Sequence, residues 1–187
     1  MRRYLLLLTL LLVAPVLTAA PPTGWKAKVA ETLPLMGHRN WILIVDSAYP
    51  LQASPGVETI ETNADQLEVV RYILGAVGNT IHARPDIYMD AELPFVSDQD
   101  APGASRYRAE IGDLLRAYPV AAEPHEKIIA KIDETSKLFH VLVLKTNMAV
   151  PYTSVFIRLN CKYWGDDAEK RMRMKMKAAP DQGGSAK

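Results

Sequence analysis

Cysteine is almost absent from this 187-residue chain: Cys161 stands alone, so no internal disulfide can form and the folded domain must be held by its core. Glycine-rich loops are missing as well. The turn after the first apolar run carries Pro50 and Pro55 where a phosphate-cradling loop needs glycines, which counts against nucleotide binding there. No Gly-x-Ser-x-Gly elbow occurs, and the 4 histidines, His38, His82, His125 and His140, are too scattered for a spaced zinc motif. A formal net charge of +1 supplies no global field to attract nucleic acid or acidic lipid. Acyl transfer, phosphoryl transfer and metal hydrolysis all lose ground. Sugar chemistry by simple proton transfer, which requires neither cofactor nor metal, gains it.

What is present begins with a leader-like opening. Arg2 and Arg3 precede a mostly apolar stretch from Tyr4 to Leu17, and Thr18, Ala19 and Ala20 then lead into Pro21 and Pro22. A positive start, a short apolar middle and a small-residue exit describe a secretory signal peptide rather than a membrane span. The expected division is a signal peptide over 1–19, one compact domain over 20–164 and a basic tail over 165–187. The mature protein is expected in the periplasm or outside the cell, without stable membrane insertion. In the tail Lys170, Arg171, Arg173, Lys175 and Lys177 alternate with Met172, Met174 and Met176, which reads as a disordered or weakly helical, solvated segment.

Apolar spacing predicts a helix over Trp25 to Leu35 and a strand over Trp41 to Val45, whose unbroken apolar, β-branched run suits a central strand buried on both faces. A second strand is expected at Val57 to Glu61, and then a helix from Ala64 to Val77 capped by Asn63 or Thr62. Further strands are expected at Asp86 to Leu93, Lys127 to Ile132, His140 to Leu144 and Thr153 to Leu159. Helices are expected at Tyr107 to Tyr118 and Asp133 to Leu138, with an acidic loop from Pro94 to Ala104. Alternating strands and helices indicate an α/β fold: a three-layer α/β/α sandwich with a mainly parallel sheet.

The stretch richest in chemistry is Met36-Gly37-His38-Arg39-Asn40, then the apolar strand, then Asp46-Ser47-Ala48-Tyr49-Pro50. A histidine opens a buried element and a carboxylate closes it. These residues, with Ala64 to Val77, Asp86 to Glu92, Arg106-Tyr107-Arg108 and Pro151-Tyr152-Thr153-Ser154, resemble the D-ribose pyranase and L-fucose mutarotase family over about Trp25 to Leu159. The resemblance implies interconversion of anomers or ring forms of a free monosaccharide by toroidal decamers. It implies His38 as proton donor, Asp46 as a ligand for sugar hydroxyls, Tyr152, Thr153 and Ser154 holding the sugar from the other side, and a further contact at Lys131 or Asp133. Asn40 stands where the family usually has aspartate, and Ser154 where it usually has asparagine.

Proton transfer is also what ring opening demands. A hemiacetal opens when a proton reaches the ring oxygen as the anomeric hydroxyl loses one, and imidazole is the side chain whose ordinary titration lies nearest neutrality. Spacing adds a constraint. Five extended residues span roughly 16 Å at about 3.3 Å each, too far for one small sugar to touch His38 and Asp46. Either the loop after Pro50 folds back or a neighbouring copy completes the pocket. Plainer roles fit the same residues: His38 as a helix-ending histidine bonded to a carbonyl, Asp46 as a turn cap, Tyr152 as a packed ring. His82, His125 and His140 read as surface or core fillers, and Asp65, Asp90, Glu92, Asp98 and Asp100 as a solvated acidic rim. A non-catalytic sugar-binding module and a ring-forming structural protein are the alternatives to the enzyme.

Overall fold

The computed structural model describes residues 23–178; the expected leader and the last nine residues of the tail lie outside them. The chain builds a six-stranded sheet of order β2-β5-β1-β6-β3-β4. Its strands are β1 (Trp41–Val45), β2 (Val57–Glu61), β3 (Ala83–Asp90), β4 (Val120–Glu123), β5 (Val141–Lys145) and β6 (Val155–Cys161). β1, β2 and β5 run parallel to one another, as do β3 and β4, while β6 is antiparallel to both β1 and β3. The sheet is thus mixed but mainly parallel, with helices on both faces, as expected from the sequence.

All five residues of β1 are buried, and their alternation sends Ile42 and Ile44 to one face, Trp41, Leu43 and Val45 to the other. The first face is covered by α1 (Trp25–Thr32), α2 (Gln66–Gly78) and α3 (Ala104–Leu115) through Val29, Val70, Ile73, Tyr107 and Ile111. Among the described residues the second is covered by a single core helix, α4 (His125–Ser136), through Ile128 and Ile132. One helix is too narrow for six strands. Arg84, Asp86, Tyr88 and Arg158 are therefore left half-buried on that side.

Several boundaries differ from those expected. The strand expected at Lys127 to Ile132 is the middle of α4: the β-branched pair Ile128-Ile129 imitates a strand, but Ile128, Ile132 and Ser136 are buried four residues apart, the period of a helix. The edge strand β4 was not anticipated, because Val-Ala-Ala-Glu carries no pattern. β3 starts three residues earlier than expected and includes Pro85. That proline is tolerated because β4 joins only from Ile87 onward, so no partner needs a donor on that side of Pro85. α2 is capped by Asp65, whose carboxylate accepts from the Leu67 and Glu68 amides, rather than by Asn63 or Thr62. α3 begins at Ala104 instead of Tyr107, because Asp98 in the acidic loop accepts from the Gly103 and Ser105 amides. In the tail, residues Asp166–Ala178 form a helix, α5, none of whose residues is buried. No helix among the described residues is long and apolar enough to cross a membrane.

Candidate functional site

β1 carries a cleft at each end, and the residues singled out in the sequence divide between them. At its N-terminal end, on the α4 side, His38, Arg39, Trp41, Lys131, Phe139 and Arg158 help to line a cleft of about 760 Å³. At its C-terminal end Asp46, Tyr49, His125, Val150 and Tyr152 help to line a second, of about 430 Å³. His38 therefore shares a cleft with Lys131, and Asp46 shares one with Tyr152, but the two pairs stay apart within one chain. The loop after Pro50 does return along α4, where the Gln52 amide donates to Asp133 at 3.3 Å and Ser54 donates to the Ser136 carbonyl. It leaves Asp46 behind at the C-terminal end.

His38 sits exposed in a turn that the sequence builds tightly. Asn40 accepts from the Gly37 amide at 2.7 Å through Oδ1 and donates to the His140 carbonyl at 3.2 Å through Nδ2. An aspartate could make the first bond but not the second, which explains asparagine here in terms of the turn. Arg39 takes φ +78°, a left-handed conformation that residues with side chains seldom adopt. Behind the imidazole lies a relay that sequence reading missed. His38 Nδ1 is 2.9 Å from Asn160 Oδ1, and Asn160 Nδ2 donates to Asp86 at 3.0 Å. Asp86 is held in turn by Arg84 at 2.9 Å and Arg158 at 2.7 Å. Because a carboxylate only accepts, the Asn160 amide must turn its NH₂ to Asp86 and its oxygen to His38. Nδ1 then carries the hydrogen. Nε2, which has no protein partner among the described residues, is left to exchange protons with the cleft.

The C-terminal cleft follows the general rule that open α/β sheets bind ligands beyond the carboxyl ends of their parallel strands. Asp46 closes β1 and accepts from the Ala48 amide at 2.9 Å, so one carboxylate oxygen serves the turn while the other carries no bond within the described residues. Ser47 is tied to the Met148 carbonyl from both its amide and its hydroxyl. Tyr152 is exposed with φ +58°, a strained position for a bulky residue. Its loop is pinned from below by a buried network: the Tyr107 hydroxyl donates to the Thr153 carbonyl at 2.6 Å, Gln66 donates to the same carbonyl, and Thr146 donates to Gln66 at 3.0 Å. Thr153 and Ser154, expected to face the sugar, are instead buried beneath Tyr152, and the Thr153 hydroxyl donates to the Val150 carbonyl. Asp133 lines neither cleft.

His125, read as filler, belongs to this cleft, and Asp90, read as part of a solvated rim, is buried behind it. His125 lines it, with its ring edge-on to Tyr152 at 5.7 Å between centroids and its Nδ1 3.0 Å from Asp90 Oδ1. Asp90 is 2% exposed, and its other oxygen is buried without a partner. Burial pushes its carboxyl above the usual range, against the bond to His125. Glu92 accepts from the His125 amide at 3.0 Å and so caps α4 at the cleft's edge. Tyr49, buried beside Asp133, Asp90 and Asp46, is pushed up to about 12 by burial first and those carboxylates second. The pair was hidden in sequence by 35 intervening positions. Register joins them: Asp90 pairs with Glu123, two residues before His125.

No protein-family model matches the chain, and no curated protein matches it significantly. Solved structures do. RbsD of Bacillus subtilis, complexed with D-ribose, superposes with a TM-score of 0.52 at 15% identity, covering 72% of this chain and 92% of that one. This chain has the fold of that protein. The fucose mutarotase of Streptococcus pneumoniae, solved with L-fucose, gives 0.49 at 19% identity over 71% and 91% of the two chains. FucU of Bifidobacterium longum gives 0.49 at 14% over 71% and 92%. At these identities the RbsD likeness carries the fold, and the chemistry must be argued from this chain's own side chains.

Proposed function

We propose that this protein is a sugar mutarotase or pyranase that interconverts anomers or ring forms of a monosaccharide, working as a homo-oligomer. The observation that carries the reading is the orientation of His38: a relay through Asn160 to Asp86 commits Nδ1 as donor and leaves Nε2 facing a cleft. In the proposed step His38 delivers a proton to the ring oxygen as the C1–O5 bond breaks, while a group opposite removes the anomeric hydroxyl proton. Reclosure on the other face of the carbonyl reverses both transfers, so no proton is consumed. His125 and Asp46 supply the opposite group, and Tyr152 offers its ring and hydroxyl to the sugar.

Since those residues lie at the far end of β1, they come from a neighbouring copy, whose C-terminal cleft meets the first copy's N-terminal one. The fold shared with a ribose-bound protein supports the substrate class. The leader-like opening supports export to the periplasm or beyond.

Magnetisation-exchange NMR on a panel of aldoses tests the reading. Acceleration of anomer exchange is expected, and His38→Ala is expected to remove about 10² to 10⁴ of it, roughly 3 to 5 kcal/mol. Exchange that persists in His38→Ala rejects the assignment, binding without acceleration rejects catalysis, and a fully active monomer in sedimentation rejects the shared site.

A further inference from the structure

The cleft at the N-terminal end of β1 is unevenly charged. Arg39, Lys131 and Arg158 line it beside His38, against one carboxylate, Glu134. Most of these charges already have partners. Lys131 is held by Glu123 at 2.5 Å, Arg158 by Asp86 at 2.7 Å, and Glu134 by Lys137 at 2.5 Å. Arg39 has no carboxylate partner among the described residues; its guanidinium lies 5.6 Å from the centre of the Phe139 ring. Arg158 retains a further donor, since its Nε is buried without a hydrogen-bond partner.

The backbone at Arg39 adds a second, independent indication. Its φ of +78° is one that glycine adopts freely and arginine only at a cost. Gly37, two residues earlier, shows that glycine occurs in this turn, yet the left-handed position is filled by a long cation. Arg39 thus brings a charge without a carboxylate partner to the cleft beside His38 at a position where glycine would cost less.

We infer that this cleft takes the anionic group of a charged monosaccharide, with Arg39 as the selecting residue. A uronic acid and a sugar phosphate are two forms of the same chemistry, since guanidinium forks match both carboxylate and phosphate oxygens. Trp41 and Phe139 supply apolar walls for the sugar's C–H faces. The inference rests on the sugar-site reading above and narrows its substrate.

Calorimetric titration of the full chain with D-galacturonate, D-galactose 6-phosphate and D-galactose tests it. At least one charged sugar is expected to bind about tenfold or more tightly than galactose, with the preference shrinking as salt rises. Whichever charged sugar binds identifies the anion as carboxylate or phosphate. Arg39→Gly separates binding from structure: it relieves the strained backbone, so thermal stability is expected to rise while the preference falls to near unity. Equal affinity for all three sugars, no binding of either charged sugar, or a preference that survives Arg39→Gly overturns the inference. Galacturonate bound without faster anomer exchange supports the charged-sugar site and rejects the mutarotase; faster exchange of galactose alone does the reverse.

Discussion

At the N-terminal end of β1 an exposed imidazole, His38, leans on a neutral amide, whereas at the C-terminal end His125 leans on a buried carboxylate. Both rings are held through Nδ1, and both clefts contain a residue forced into the left-handed region, Arg39 in one and Tyr152 in the other. The difference lies in what stands behind the ring. Asn160 cannot change charge, and its Nδ2 bond to Asp86 keeps its oxygen toward the ring, so neutral His38 carries its hydrogen on Nδ1. Asp90 can take up a proton, after which its hydroxyl can donate as well as accept. Orientation at that end therefore depends on the state of a buried acid.

The largest expected effect separates the two ends mechanically. A Cβ at Gly56 would meet the Ser136 carbonyl oxygen at 2.2 Å and the Phe139 carbonyl oxygen at 2.8 Å. Both are backbone atoms at the end of α4, which walls the N-terminal cleft, and they cannot swing aside as a side chain would. Gly56→Ala is expected to cost about 2 to 3 kcal/mol in urea denaturation. In NMR spectra it should displace signals from Thr135 to Phe139 and His38 while leaving Tyr152 and His125 in place. Equal disturbance of both ends would show that the clefts are coupled, through β1 or across the proposed shared site.

How far such a division could be read from the sequence depends on how local its signals are. β1 and β2 matched residue for residue, since a five-residue apolar or alternating run between turn residues is a short-range pattern. α4 was misread because two adjacent isoleucines outweighed its period, and β4 because an exposed edge strand needs no apolar alternation. Among the candidate residues, Asp46 stood out as the carboxylate closing β1 and Tyr152 through the family resemblance, and the two line one cleft. His125, Asp90 and Asn160 did not: each acquires its role only through strand register, which no local window contains. Asn40 is instructive in the opposite sense. Read as a lost carboxylate, it proves to be a two-sided pin of the turn that presents His38.

The next effect probes the C-terminal end by pH. Burial raises the Asp90 carboxyl above its ordinary 3.8, so between that value and the raised one the folded chain holds a proton that the unfolded chain has released. Stability is then expected to fall as pH climbs through this window and to level off above it. Asp90→Asn should abolish that fall, and above the window should equal or exceed the wild type in urea denaturation, because it removes a buried charge. Because His125 leans on Asp90 and stands opposite His38 in the proposed shared site, anomer exchange should change its pH profile in this variant, and an unchanged profile would remove His125 from the reaction. A slope unchanged in Asp90→Asn would assign the pH response elsewhere.

The smallest effect concerns α5. Its residue Asp166 reaches Arg84 at 3.4 Å, and Arg84 in turn holds Asp86, the anchor of the relay behind His38. That chain of contacts makes α5 look coupled to the N-terminal cleft. The energetics argue otherwise: α5 buries no residue, Asp166 is 81% exposed, and exposed ion pairs contribute little against solvent screening. Asp86 also retains Arg158 and Asn160 without Arg84. Trimming the chain after Gly165 is accordingly expected to change unfolding stability by no more than about 0.5 kcal/mol and to leave the anomer-exchange rate unaltered. A larger loss of exchange than of stability would mean that the helix, through Arg84, tunes the amide-backed end of β1 and not the carboxylate-backed one.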